Sequence, residues 1–360
     1  MPTLFDPVRL GDIACSNRIV MAPMTRSRAN ADDDCPNELH VDYYSQRAAA
    51  GLIVSEGVHP SIHGKGYCRT PGIYDQSQIA AWREVTDAVH AAQGKIVLQI
   101  MHVGRIGSRH NKAADAQTVA PSAIKAAGQM FTDTAGLVDL DVPRELRTDE
   151  IPHLIAELAA AARNARSAGF DGVELHCASG YLPMQFLSPN TNQRSDAYGG
   201  TRERRLRFVV EAIEAIAATI GAGRTGLRIC PGNAFNDIHD DDPIATYASL
   251  LDVLDPLGLA YLHVIRSPDK SIDAFALARR HFRGPVIVND GFDFASGDAA
   301  LGGDVGDLVS YARPFIGNPD LVERFRHGAQ LSGFDRRTLY TPGARGYTDY
   351  PAMAQRVVPA

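Results

Sequence analysis

Polar side chains recur where short apolar runs of this 360-residue chain end. Gln99 falls within the run 96–100, with His102 just beyond it. His176 closes the run 172–176, Arg228 sits in 226–230, and Asn289-Asp290-Gly291 ends the run that starts at Val286. Pro23-Met24-Thr25 and Gly57 stand after two earlier runs, and Arg313 after the last. Burying an amide, an imidazole or a guanidinium costs free energy unless each finds a partner. One such residue reads as a satisfied core group, and Arg228 by itself reads as a core ion-pair partner as readily as a ligand contact. So many on one rim point to a bound polar ligand.

Other chemistry-bearing patterns lead elsewhere. Gly221-Ala222-Gly223-Arg224-Thr225-Gly226 has dinucleotide spacing, but that fingerprint needs a strand before it and a helix after it. Here a helical stretch precedes and a strand follows, so these glycines are read as a helix stop and turn. Cys15, Cys35, Cys68, Cys177 and Cys230 are odd in number, scattered and form no C-x-x-C pair, as expected of reduced thiols in a cytoplasm. With no H-E-x-x-H either, no structural or protease-type zinc site is expected. Asp240-Asp241-Asp242 is read as helix entry and surface.

Eight apolar runs must carry the rim: 18–22, 52–55, 96–100, 172–176, 226–230, 261–264, 286–289 and 308–311. Rich in Val, Ile and Leu, they read as strands buried on both faces, as in a parallel sheet. Between them lie stretches of helical spacing. In 151–168, Ile151, Leu154, Ile155, Leu158, Ala159 and Ala162 mark the buried stripe, with Asp149 as cap and Gly169 as stop. The stretch 201–220 is a second, and Asp242-Pro243 opens a third. Arg202-Glu203-Arg204-Arg205, mixed in sign, is read as a solvated face. Eight strands alternating with helices predict a single (β/α)8 TIM barrel spanning 1–360. The segment 104–148 is too long for an ordinary loop, and is read as a cap inserted between strands three and four. Chemistry in such a barrel sits where strands end.

Composition narrows the function classes. A hydrophobic fraction of 45% with 22% charged residues is that of a globular protein. A net charge of −6 argues against a nucleic-acid binder, which needs a basic face. No apolar run approaches the ~18 residues of a membrane span, and the first residues lack the basic start and apolar middle of a signal peptide. The expected location is cytoplasmic.

Longer signatures frame the rim: Asn17-Arg18-Ile19-Val20-Met21-Ala22-Pro23-Met24-Thr25-Arg26, Gln46-Arg47-Ala48, the stretch 186–200 that ends Asp196-Ala197-Tyr198-Gly199-Gly200, Asn318-Pro319-Asp320-Leu321 and Gly346-Tyr347-Thr348-Asp349-Tyr350-Pro351. With these, from about Leu4 to Tyr350, the chain resembles the old yellow enzyme family of FMN-dependent ene-reductases. The resemblance implies that Pro23, Met24, Thr25 and Gly57 line a tightly bound FMN. Gln99 meets its pyrimidine edge, and Arg228 offsets the anion of the reduced flavin. The phosphate is expected in the loops after strands seven and eight, held by Asn289, Asp290, Gly291, Ala312 and Arg313. Family members often carry glycine where Asp290 and Ala312 stand.

The resemblance further implies hydride delivery from the flavin to the β-carbon of an α,β-unsaturated carbonyl or nitro compound, with NAD(P)H as donor and Tyr181 protonating the α-carbon. A phenol is protonated at neutral pH and can serve as an acid untuned. His176 is expected to bond the substrate oxygen, a contact that strengthens as charge develops there. Its usual second anchor, a His or Asn three positions on, is Ser179 here, whose hydroxyl falls roughly 2–3 Å short. Tyr67, Met101 and Tyr340 occupy pocket positions.

Three functions follow. The first is an NAD(P)H-dependent FMN ene-reductase. The second is a specialised desaturase or isomerase in which Ser179 marks weak ordinary reduction, and the third is an FMN-binding protein with little catalysis. Monomer and homodimer both remain open.

Overall fold

The computed structural model describes residues 1–303 and 305–353. All eight apolar runs become strands of one closed, all-parallel barrel. We label them β1 (Ile19–Met21), β2 (Leu52–Val58), β3 (Ile96–Ile100), β4 (Gly172–Cys177), β5 (Thr225–Ile229), β6 (Tyr261–Ile265), β7 (Val286–Asn289) and β8 (Leu308–Tyr311). Neighbours in sequence are neighbours in space, and β8 pairs with β1 to close the ring. Nearly every strand residue is buried, because side chains of one parity fill the lumen and those of the other meet the helices.

The helices around the ring are α1 (Glu38–Ser45), α2 (Gln76–Ala91), α3 (Ile151–Ser167), α4 (Arg202–Ile220), α5 (Pro243–Leu254), α6 (Ala274–His281), α7 (Phe294–Gly302) and α8 (Leu321–Arg326). The expected stripe of α3 is buried against the main core. Its expected cap is not observed: Glu150 stands at the N-cap with no side-chain cap bond, while the Asp149 side chain accepts from Arg147 instead. Thr201 caps α4 and Asp242 caps α5, each accepting a first-turn N–H. In the mixed run Glu203 and Arg204 are exposed and Arg202 and Arg205 half-buried, and the Arg205 guanidinium donates to the Leu187 and Gly200 carbonyls.

An N-terminal hairpin, Val8–Leu10 with Ile13–Cys15, closes the bottom. Leu10, Ile13 and Cys15 pack with Val20, Val54, Val97, Tyr261 and Ile287 as an apolar floor. Gly226 lies within β5, and its missing side chain makes room for Tyr261. A Cβ there would come 2.4 Å from the tyrosine ring. The segment 104–148 carries two small two-stranded ladders, Val119–Ala120 with Arg144–Glu145 and Gln129–Thr132 with Gly136–Asp139. No helix among the described residues is long and apolar enough to cross a membrane.

Candidate active site

Register brings the rim residues together. Gln99 on β3 pairs with Glu174 on β4, His176 with Arg228 on β5, and Arg228 with His263 on β6. The β2–β3 ladder shifts between Val54 and Gly57, so β2 carries a bulge at Ser55-Glu56. The Ser55 hydroxyl accepts the Gln99 N–H at 3.0 Å and restores the bond that the bulge removes. Gly57 then opposes Gln99, and a Cβ on it would sit 2.5 Å from the Met101 sulfur.

These strand ends open into a cleft of about 630 Å3. Of the residues expected from sequence, Pro23, Thr25, Tyr67, Gln99, Met101, His176, Ser179, Tyr181, Arg228 and Tyr340 line it. Met24 packs against the main core instead, so any part it takes falls to its backbone. Asn289 joins the site indirectly: its Oδ1 accepts from Arg228 at 2.8 Å, and its amide donates to the Ser310 carbonyl. Asp290 and Gly291 form a turn with φ of +79° at both residues, a conformation natural only to the glycine. Arg313, exposed, opens the short helix Arg313–Gly317. A larger groove of about 900 Å3 lies beside the loops after β6 and β7, where Arg266 stacks between Phe275 and Phe292. The smaller cleft is the one into which the barrel strand ends open, where chemistry is expected, and its lining includes buried, unpartnered polar atoms.

Two of those atoms are Nδ1 of His176 and Nε of Arg228. Burial, then the Arg228 charge, pushes His176 down to about 3, so the ring is neutral at physiological pH. The Tyr181 hydroxyl lies 2.9 Å from that of Tyr67, and its ring centroid is 5.2 Å from that of His176. Burial, reinforced by Tyr67, raises the Tyr181 phenol well above its ordinary value, so it holds its proton. Ser179 adopts φ +56°, and its carbonyl accepts from the Asn236 amide at 2.7 Å.

Sequence reasoning missed several lining residues. Phe131 from the 104–148 segment, Phe235 from the loop after β5, and Arg336 and Arg337 from the C-terminal segment also border the cleft. It missed Glu174 and His263 as well, both wholly buried in the lumen. The signal was present: Glu174 is two residues before His176 on one strand and so shares its face.

An FMN-sized ligand fits this set. The cleft offers an amide at Gln99, a guanidinium with an unpartnered nitrogen at Arg228 and a hydroxyl at Thr25. Residues 3–332 match the family model of the NADH:flavin oxidoreductase / NADH oxidase family. The chain is 40% identical to a 12-oxophytodienoate reductase of Oryza sativa subsp. japonica over 98% of its own length and 93% of the relative's. It is 39% identical to a probable flavin mononucleotide-dependent alkene reductase of Leishmania infantum, covering 97% of each chain. Its fold superposes on morphinone reductase solved with tetrahydroNAD at a TM-score of 0.94, with 43% identity and 99% of each chain covered.

Proposed function

The chain belongs to the NADH:flavin oxidoreductase / NADH oxidase family, the old yellow enzyme family, and we propose that it reduces the activated C=C bond of α,β-unsaturated carbonyl or nitro compounds with NAD(P)H. The observation that carries this reading is the pairing of a neutral, buried His176 with a protonated Tyr181 on one cleft wall. FMN, when bound, supplies hydride chemistry that no side chain can.

The chain's own residues do the rest. Gln99 and Arg228 would hold the pyrimidine side of the cofactor, Thr25 and Pro23 would line it, and Asn289, Asp290, Gly291, Ala312 and Arg313 would receive its phosphate. Neutral His176 donates to the substrate's oxygen, and the bond gains strength as negative charge collects there. Tyr181 gives its proton to the α-carbon, and Tyr67 can return one through the short hydroxyl contact. Phe131, Phe235 and Tyr340, all exposed at the mouth, favour an apolar substrate body. We read 104–148 as a cap that contributes Phe131 to this rim. The names of the reductase relatives support reduction over a desaturase, an isomerase or a flavin store.

The test splits the two half-reactions. Tyr181→Phe should leave NADPH bleaching of the bound flavin largely intact while slowing reoxidation by 2-cyclohexenone about 100-fold or more. Equal slowing of both halves would remove Tyr181 as the proton donor.

A further inference from the structure

Behind Gln99 runs a polar chain of Glu174, His263 and Ser310 that the reaction above does not use. The Ser310 hydroxyl is 2.7 Å from Nε2 of His263, and Nδ1 of His263 is 2.8 Å from Oε2 of Glu174. Oε1 of the same carboxylate accepts from Nε2 of Gln99 at 2.7 Å. Glu174 and His263 are wholly buried and Ser310 nearly so. A buried carboxylate is expensive unless its oxygens are satisfied, and here each oxygen has one strong donor.

The protonation pattern follows from the partners. Burial works to raise the Glu174 carboxyl, but His263, then Arg228 and Gln99, outweigh it and hold it below the ordinary glutamate value. Burial keeps His263 neutral. The imidazole therefore donates Nδ1–H to Glu174 and accepts the Ser310 proton at Nε2.

The chain has one closed end and one open end. Ser310 closes it, while at Gln99 no other side-chain bond is made among the described residues, and this amide lines the cleft. Because Nε2 must face the carboxylate, Oε1 and the second N–H have one orientation available. The same carboxylate places a negative charge in the lumen where it acts on the Arg228 guanidinium, whose one side-chain bond among the described residues is to Asn289. A buried carboxylate serving stability alone needs no such open end.

We propose that Glu174, oriented by His263 and Ser310, is a positioning residue that fixes the face of Gln99 and offsets the charge of Arg228, and thereby sets the reduction potential of the bound flavin. This rests on reading Gln99 and Arg228 as the pyrimidine contacts. Reduction adds negative charge to the cofactor, so a fixed carboxylate nearby opposes it and removing that charge favours it.

The experiment is a spectroelectrochemical titration of the FMN-loaded protein, with FMN affinity measured by ultrafiltration. Glu174→Gln keeps the shape and removes the charge. Its two-electron equilibrium should shift toward reduced flavin at least tenfold, about 30 mV upward, and FMN should bind more weakly because the Gln99 amide can turn. Ser310→Ala, a smaller change, should shift the equilibrium the same way by less, and it carries the test if Glu174→Gln does not fold. Both variants loaded with FMN at a wild-type potential would overturn the proposal. A wild-type protein that takes up no FMN would overturn the cofactor reading itself, and this proposal with it.

Discussion

At the scale of single residues, Ser179 lines the cleft beside His176, where a second hold on a substrate oxygen would stand. Its φ of +56° lies in the left-handed region that asparagine tolerates better than most residues. Ser179→Asn thus needs no backbone change and supplies an amide on the cleft wall beside His176. The expected outcome is about tenfold faster reoxidation by 2-cyclohexenone, the worth of one added hydrogen bond to developing charge; no gain would mean that His176 suffices alone. Pro23, Thr25, Gln99, His176 and Arg228 were legible because they stand at strand ends, whereas Tyr67, Met101, Ser179, Tyr181 and Tyr340 were reached through the family resemblance. Glu174 and His263 were harder to read, since a lone charge inside Gly-Val-Glu-Leu-His looks like the strand's outer face until its parity with His176 is counted.

Among the elements, the eight barrel strands were readable as apolar runs, because parallel strands buried on both faces leave no polar alternation to confuse them. The bulge at Ser55-Glu56 was not, because it depends on pairing with β3. The role of the C-terminal segment was equally hidden. Arg28 donates to the carbonyls of Thr338, Leu339, Gly343 and Arg345, and Arg26 to those of Leu339 and Gly346. These two arginines, just past β1, fasten the segment that brings Arg336, Arg337 and Tyr340 to the cleft. Arg28→Ala leaves several carbonyls without their donor and should cost about 2–4 kcal/mol by urea denaturation. KM for a bulky enone should rise while kcat holds, since the segment borders the mouth and not the reacting atoms. A fall in kcat at unchanged KM would contradict that division.

For the whole molecule, buried neutral histidines couple the fold to acid. His59 and His176 are pushed down to about 3, and His102 well below its ordinary value, all chiefly by burial. Unfolded, each takes up a proton near its ordinary value of 6.5; folded, each resists until far lower pH. The unfolded chain binds more protons across that window, so this stability is fully present above about 6.5 and declines as pH falls toward about 3. The Tm of the FMN-loaded protein should drop steadily from about pH 7 to about pH 4.5; a flat profile would show that other groups compensate.

The barrel's closure, its apolar floor and its polar mouth converge on one claim: the cleft holds FMN and passes electrons from a nicotinamide to an activated alkene. Anaerobic stopped-flow mixing of the FMN-loaded protein with NADH or NADPH, followed by 2-cyclohexenone, tests it most directly. Bleaching of the flavin absorbance by at least one nicotinamide, and its return on adding the enone, is the predicted result. A flavin that neither nicotinamide bleaches would contradict the account.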